Sequence, residues 1–128
     1  MSEIYYPAVF HEEDGAYWVE FPDLPGCLTQ GESEQEALDM AKDALGLYLD
    51  ENLDNIKAPS TCKEIKALFP NELVMLVGCN PELYSRNLHS KAIKKTLTIP
   101  EWLNDKAIKA DVNFSEILKE ALISKLHL

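Results

Sequence analysis

The densest set of side chains able to bind a metal ion is the run His11, Glu12, Glu13 and Asp14. Imidazole and carboxylate groups are frequent ligands of divalent cations. Asp14 and Gly15, however, are a strong signal for a tight hairpin turn. Because consecutive strand residues point to alternate faces, the side chains around such a turn do not converge easily on one ion. We therefore predict a solvated turn and no metal site.

Other arrangements that carry out chemistry are missing from the sequence. It contains no H-E-x-x-H motif, no G-x-S-x-G motif and no glycine loop of the kind that cradles phosphate. The three histidines lie in unrelated contexts, so no cysteine–histidine nucleophilic pair is supported. Cys27, Cys62 and Cys79 form no C-x-x-C pair, which is typical of ordinary thiols in a reducing compartment. We predict no catalytic residue, no cofactor and no enzymatic activity.

A second group of polar side chains alternates with apolar ones in the stretch KKTLTI. On a strand, Lys94, Thr96 and Thr98 share one face, and Leu97 and Ile99 share the other. A two-stranded ribbon that displays such residues fits the major groove of DNA. There, lysine reaches guanine acceptors and threonine bonds to or packs against base edges. The sequence therefore indicates base-reading positions at Lys94, Thr96 and Thr98. The alternative is that this strand only builds a dimer and does not contact DNA.

The charge differs strongly between the two ends of the chain. Residues 1–70 contain 15 acidic and 4 basic side chains, a net charge of −11, whereas residues 91–128 carry +2. Residues 83–100 contain no acidic side chain. An acidic part without catalytic groups is best interpreted as a docking surface for a basic partner, and a segment without acids suits DNA.

Residues 1–82 are predicted to form a two-layer α+β domain of order β-β-β-α-β, in which one helix covers one face of a mostly antiparallel sheet. Ser33 and Glu36 form a capping-box pattern at the start of that helix. The polar connection 53–72 contains two prolines and is predicted to lie over one face or to contain a short helical turn. The predicted elements are strands at 4–11, 16–21 and 27–30, a helix at 34–52 and a strand at 73–80.

Residues 83–91 are predicted to be a linker, and residues 92–128 to form one strand and two short helices. Pro100 suits the first turn of the first helix, and Asn113 with Glu116 forms a second pattern of the capping-box type. A segment of fewer than about 40 residues buries too little apolar surface for a core of its own. The tail therefore needs a second copy of the chain.

In the predicted homodimer, two strands pair across a two-fold axis and four helices cover their apolar face. The N–H groups at the start of the second helix, near Asn113 and Ser115, can bind a DNA phosphate. The predicted dimer contacts are Leu97, Ile99, Trp102, Leu118 and Leu122.

The order strand, proline, helix, cap and helix resembles the ribbon-helix-helix family of DNA-binding proteins, the Arc/MetJ type, over residues 91–128. Lys94, Thr96 and Thr98 align with the base-reading strand positions of that family. One departure is the turn between the helices, which has glycine in many relatives and reads ADVNF here. Asp111 tolerates a left-handed φ better than most residues, so the turn is expected to survive.

The stretches YPAVF, GAYWVEFPDLPGCLTQG, EALDMAKDALGLYL and NPELY closely resemble the N-terminal domain of HicB-type antitoxins. With the tail, the resemblance covers nearly the whole chain. It implies that the chain neutralises a HicA-type toxin, a small basic protein that looks like a double-stranded-RNA-binding domain and cleaves mRNA. It also implies a toxin-docking N-terminal domain, likened to a degraded ribonuclease H fold, and a tail that binds operator DNA and represses its own operon.

The expected toxin contacts lie in the turn after the second predicted strand, at Phe21, Asp23, Leu24 and Pro25. The alternative is that this turn only shapes a loop, with Phe21 in the core. The operator-binding unit is expected to be a homodimer, and two dimers can join through their N-terminal domains. No signal-peptide pattern and no apolar run of membrane-spanning length is present, so a cytoplasmic protein without membrane contact is expected.

Two other functions remain open from the sequence. The first is a stand-alone regulator whose N-terminal domain senses a small molecule. The second is a metal-dependent nuclease, which requires several carboxylates that converge on two metal ions. The acidic residues present for that role are Glu12, Glu13, Glu20 and Asp23.

Overall fold

The computed structural model describes residues 3–128, apart from the side chain of Leu53. The fold is mixed α+β, as predicted, and it divides into two compact units with the boundary in sequence between Lys91 and Ala92. Within the described residues, the N-terminal unit contains one sheet and three α-helices, and the C-terminal unit contains two α-helices. None of these helices combines the length and the hydropathy that crossing a membrane requires.

Four antiparallel strands form the sheet of the N-terminal unit. They are β1 (Ile4–Glu13), β2 (Ala16–Glu20), β3 (Leu28–Gly31) and β4 (Leu73–Cys79), arranged in the order β3-β2-β1-β4. Asp14 and Gly15 connect β1 to β2 with φ angles of 52° and 83°. These left-handed angles are typical of a two-residue hairpin turn and confirm the predicted hairpin.

Helix α1 (Glu34–Glu51) covers one face of the sheet. Ser33 caps it, because its Oγ accepts the Glu36 N–H at 3.1 Å. The Glu36 carboxylate accepts the Glu32 N–H at 3.2 Å, one residue earlier than a reciprocal capping box predicts. Burial of apolar surface between α1 and the sheet is the main stabilising contribution of this core. The core consists of Tyr6, Ala8, Phe10, Val19, Phe21, Leu24, Cys27, Ala37, Ala41, Leu45, Leu49, Val77 and Cys79.

The other face of the sheet is partly covered by helix α2 (Cys62–Leu68). It lies within the connection 53–72, which was predicted to lie over one face or to contain a short helical turn. Thr61 and Glu64 form a full capping box, in which each side chain accepts the backbone N–H of the other residue at 3.1 Å. Helix α2 contacts β1 and β4 and buries Ile65. Pro7 and Val9 point away from α1 and are also fully buried. The predicted two-layer arrangement is therefore incomplete, because a helix lies on each face.

Helix α3 (Pro81–Leu88) occupies most of the segment that was predicted to be a linker, 83–91. The side-chain oxygen of Asn80 accepts the Leu83 N–H at 3.1 Å and caps this helix. Pro81 suits the first helical position because it has no N–H to satisfy there. The linker prediction is thus wrong for residues 83–88, which belong to a packed helix of the N-terminal unit.

Helix α3 packs against α1 at a glycine. The Tyr84 ring lies directly over Gly46, and its hydroxyl donates to Asp43 at 3.1 Å. At the end of α3, His89 Nε2 lies 3.1 Å from the Asp50 carboxylate, and this contact lowers the pKa of Asp50. The close approach at Gly46 and the two polar contacts together hold α3 in place.

We expect Gly46→Ala to loosen α3, even though alanine is the better helix former by about 1 kcal/mol. A Cβ at position 46 would lie 2.4 Å from the Tyr84 ring, so the ring and its helix must shift. Tyr84→Ala and Gly46→Ala/Tyr84→Ala form the control pair: both lose the bond to Asp43, and neither has the clash, so their α3 amides should be protected alike. Hydrogen exchange of the α3 amides measures the effect, and unchanged protection in Gly46→Ala would contradict the close packing.

Helices α4 (Glu101–Lys109) and α5 (Phe114–Lys125) form the C-terminal unit, close to the two helices predicted there. Asp111 between them has φ 54°, the left-handed conformation expected of this turn. Asn113 caps α5, since its Oδ1 accepts the Glu116 N–H at 3.0 Å. Residues 90–100 have no regular secondary structure, so the predicted strand is not formed in the single chain. A strand needs a partner for its backbone groups, and no described residue pairs with this segment.

Candidate functional site

The loop that follows β2 lies against the core, and most of its side chains are buried. Phe21 and Asp23 are each 2% exposed and Leu24 is 1% exposed, whereas Pro25 is exposed. Backbone hydrogen bonds close the loop, from the Leu24 N–H to the Phe21 oxygen at 2.9 Å and from the Cys27 N–H to the Leu24 oxygen at 3.0 Å. This geometry matches the alternative interpretation, a structural loop with Phe21 in the core.

Asp23 is a buried carboxylate that anchors the connection between α1 and α2. Its oxygens accept the N–H and the hydroxyl of Ser60, each at 2.7 Å, and Lys57 Nζ lies 3.5 Å from Oδ1. The Tyr6 hydroxyl donates to the carbonyl oxygen of Lys57. Burial alone raises the pKa of the Asp23 carboxyl, but the hydrogen bonds from Ser60 and the charge of Lys57 outweigh it and lower that pKa below its ordinary value.

Three of the four predicted toxin contacts therefore cannot serve as surface contacts in this conformation. Phe21 and Leu24 fill the core, and Asp23 is bonded within the chain. Pro25 is the one member of the set that lies on the surface. The sequence pattern was ambiguous, because interiors and interfaces both favour apolar side chains in a well-ordered turn.

His11 is part of a side-chain cluster and not of a solvated turn. Its ring stacks on Trp18 with centroids 3.9 Å apart, and Phe69 meets its edge at 5.9 Å. Nε2 lies 2.7 Å from a Glu20 oxygen, and Nδ1 lies 3.5 Å from a Glu72 oxygen. The cluster joins β1, β2 and the segment before β4. The solvated turn is confirmed for the exposed residues 12–14 and is wrong for His11.

The carboxylates proposed for a nuclease are not assembled into a metal site. Glu20 contacts His11, and Asp23 contacts Ser60. Among residues 3–128, no group of three or more His, Cys, Asp or Glu side chains is placed to hold a metal ion. Burial raises the pKa of the Cys27 thiol to about 11, so this cysteine is not a reactive thiolate at neutral pH.

The C-terminal unit exposes its apolar side chains. No residue of α4 or α5 is buried. The five predicted dimer contacts range from 36% exposed at Leu118 to 63% exposed at Trp102. A groove of ≈ 500 Å³ is lined mainly by residues of the segment before α4 and of α5, among them Leu97, Ile99 and Leu118. Three of the five predicted dimer contacts therefore line one apolar groove.

The predicted DNA-binding side chains are all exposed. Lys94, Thr96 and Thr98 lie in the segment without regular structure, and Ser115 lies in the first turn of α5. Asn113 already uses its side-chain oxygen to cap that helix. Four of these side chains are accessible to a ligand, and the role of Asn113 in the single chain is to fix the start of α5.

Comparison with known proteins identifies the family. The family model described as the HicB-like antitoxin of bacterial toxin–antitoxin systems matches residues 6–125. Antitoxin HicB 2 of Photorhabdus laumondii is 33% identical, in a match that covers 77% of this chain and 88% of that protein. Antitoxin HicB 1 of the same bacterium is 61% identical over 33 residues, which span 26% of this chain and 21% of that protein.

A solved structure shares the fold over nearly the whole chain. It is a chain from a toxin–antitoxin complex of Streptococcus pneumoniae, with a TM-score of 0.59 and 28% sequence identity. The match covers 97% of this chain and 99% of that chain. With the match of the family model, this likeness confirms the resemblance predicted from the sequence: the chain belongs to the HicB-like antitoxin family of bacterial toxin–antitoxin systems.

Proposed function

We propose that the chain neutralises a basic HicA-type toxin with its N-terminal unit and represses its own operon with its C-terminal unit. In this proposal, residues 92–128 of two chains form a ribbon-helix-helix homodimer that binds operator DNA. Toxin inhibition is steric and electrostatic, and the chain performs no catalysis. The setting is the bacterial or archaeal cytoplasm.

The observation that carries the proposal is the uncovered apolar face of the C-terminal unit. None of its described residues is buried, although α4 and α5 carry apolar side chains at helical spacing. Helices of this length are stable in proteins mainly through tertiary packing. A second copy supplies that packing if its own residues 94–99 and α5 fill the ≈ 500 Å³ groove.

Pairing of the two copies also accounts for the segment without regular structure. Residues 94–99 gain backbone partners when they pair antiparallel with the same residues of the second copy. Leu97 and Ile99 then face the helices, and Lys94, Thr96 and Thr98 face outward from both strands. The result is a two-stranded ribbon of suitable width for the major groove.

We expect the double variant Thr96→Ala/Thr98→Ala to lose at least about tenfold in operator affinity, since each base contact that is lost costs roughly 1–3 kcal/mol. Toxin neutralisation should be unchanged, because both threonines lie outside the N-terminal unit. A titration of the operon's promoter DNA at fixed salt measures the affinity. If the operator affinity of the double variant stays within about twofold of the wild type, this strand does not contact the bases of the operator.

The acidic N-terminal unit supports the toxin-binding part of the proposal. Its surface carries Glu34 and Asp39 on α1, and residues 1–70 have a net charge of −11. Such a surface speeds the encounter with a cationic protein, and the effect weakens as salt increases. Exposed Pro25 remains a candidate contact within the loop after β2.

We assign the N-terminal unit a docking role and no nuclease activity. In this view the unit descends from a ribonuclease H-like fold that has lost its chemistry. Two of its carboxylates, Glu20 and Asp23, are engaged with His11 and Ser60 and do not converge on a common point. Incubation of the purified protein with RNA and Mg²⁺ or Mn²⁺ tests this assignment, and metal-dependent cleavage would overturn it.

A further inference from the structure

The sheet of the N-terminal unit ends in an unprotected apolar edge. β4 is an edge strand of seven residues, and in the described chain it pairs with β1 alone. Its sequence LVMLVGC contains no charged residue and no proline. Natural proteins usually protect such edges with lysine, proline, a bulge or very short strands. The opposite edge, β3, follows that rule, since it has four residues and reads LTQG.

The strand register identifies which backbone groups of β4 face outward. Glu13 and Ala16 flank the two-residue turn and pair with each other, so they form a hydrogen-bonded pair. Alternation along β1 then directs the backbone groups of odd-numbered residues toward β2 and those of even-numbered residues toward β4. Met75 and Val77 therefore bond to β1, and Leu76 directs its N–H and carbonyl outward.

Proline in β1 supports the same assignment. Pro7 lies opposite Leu76 in the register of β1 and β4, but its backbone nitrogen faces the β2 side. It has no N–H to donate there, and none is needed, because β2 is paired with β1 only as far as Glu20. A proline inside a sheet is tolerated where its nitrogen points away from a ladder. The outward groups of β4 are therefore those of Val74, Leu76 and Gly78.

Apolar side chains lie on both faces of this edge, and acidic residues border it. Leu73 is 45% exposed and Leu76 is 52% exposed. A groove of ≈ 300 Å³ runs beside the edge on the α1 face and is lined by Glu34, Gln35, Leu38 and Met75. Glu72 lies directly before β4, and Glu3 lies against Gly78 at the other end. Lys66 lies near one end of the edge, where its Nζ donates to the carbonyl oxygen of Glu72, and Lys42 lines a pocket with Glu3 and Gly78 at the other end.

We propose that β4 binds an extended segment of the cationic toxin by strand addition, so that the toxin segment becomes a fifth strand of this sheet. The inference rests on the proposed function and names the docking surface. Backbone bonds to Leu76 and its neighbours supply affinity, and the apolar edge supplies side-chain contacts. The charge of the edge determines which segment binds there. Because the carboxylates of Glu3, Glu34 and Glu72 border the edge, a basic segment of the toxin binds more favourably than the β4 edge of a second copy, which has the same acidic border.

The test replaces the outward donor of the edge without disturbing its ladder to β1. Leu76→Pro removes the N–H that the toxin strand needs, while the bonds of Met75 and Val77 to β1 remain. Gln30→Pro is the matched control, because by the same alternation Gln30 faces outward from the opposite edge strand β3. The binding partner in the assay is a small basic HicA-type toxin, as the proposed function requires. Affinities come from isothermal titration calorimetry and folding from thermal unfolding.

We expect the wild type and Gln30→Pro to bind alike and Leu76→Pro to bind at least about tenfold more weakly. If Leu76→Pro does not fold, Leu76→Lys takes its place, because it keeps the N–H and repels a cationic strand. Equal binding by a folded edge variant overturns the inference and leaves the proposed function intact. A wild type that does not bind the basic protein overturns both.

A second copy at this edge is a distinguishable result. Light scattering of the free wild-type protein would then give a mass above that of the proposed homodimer, and the mass of Leu76→Pro would be lower than that of the wild type. This outcome would also overturn the inference, because the edge would then be an interface between copies of this chain. We expect the mass of the free protein to be the same for the wild type and Leu76→Pro.

Discussion

Replacement of Leu118 by aspartate is expected to convert the free protein to monomers and to lower operator affinity by at least about 100-fold. Leu118 lines the apolar groove of the C-terminal unit and is 36% exposed, the smallest exposed fraction among the five predicted dimer contacts. Pairing of two copies would bury a carboxylate on each side without a cationic partner, which is strongly unfavourable. Sedimentation or light scattering measures the mass, and a DNA titration measures the affinity.

Lys119→Gln is the matched control for Leu118→Asp. It changes the net charge by the same single unit, but Lys119 does not line the groove. Toxin binding should survive in both variants, because the substitutions lie outside the N-terminal unit. A Leu118→Asp protein that is dimeric and binds operator DNA like the wild type would contradict the proposed dimer.

The second large effect is expected at Asp23, inside the N-terminal unit. Asp23→Asn should lower the free energy of unfolding by about 3 kcal/mol, because a buried group loses its charge and its fit to the two Ser60 donors. That is a large fraction of the 5–15 kcal/mol that is typical of a domain. Asp54→Asn is the control, since Asp54 is an exposed carboxylate in the same connection. Urea unfolding at pH 7 compares the two variants.

The effect of Asp23 should also depend on pH. The hydrogen bonds from Ser60 and the charge of Lys57 lower the pKa of Asp23 in the folded state, despite the opposing effect of burial. Its stabilisation is therefore complete above the unfolded-state pKa of about 4 and is lost as the pH falls through the lower folded-state value. The difference in stability between the wild type and Asp23→Asn should shrink in acid. A difference that stayed constant from pH 7 to pH 3 would contradict the ionised buried carboxylate.

Local signals predicted the elements that depend on neighbours in sequence. The Asp14–Gly15 turn, the Ser33 cap of α1 and the Asn113 cap of α5 are all present. Helix α3 was not predicted, and α2 was predicted only as one alternative, a short helical turn, although Thr61 with Glu64 and Asn80 with Pro81 are ordinary helix-start signals. Prolines and polar residues on either side favoured a loop interpretation for both segments, and the caps alone did not outweigh them.

The candidate site was less predictable, because its residues depend on distant partners. Asp23 is bonded to Ser60, 37 residues away, and no spacing rule connects the two positions. His11 lies under Phe69 and beside Glu72, which arrive from the far end of the connection between α1 and β4. An aspartate in a proline-rich turn and a histidine near a hairpin both have solvated environments as their ordinary expectation. Only the packing of the connection against the sheet buries Asp23 and shields most of the His11 side chain from solvent.

Under the proposed repressor function, the exposed apolar face of the C-terminal unit has a consequence for the control of the operon. If that unit folds only on association, mass action makes the amount of paired unit rise with the square of chain concentration while most chains are single. Occupancy of the operator would then respond more steeply to antitoxin dose than one-to-one binding of the toxin does. A small drop in antitoxin concentration would free the operator and allow transcription before it left the toxin without its inhibitor.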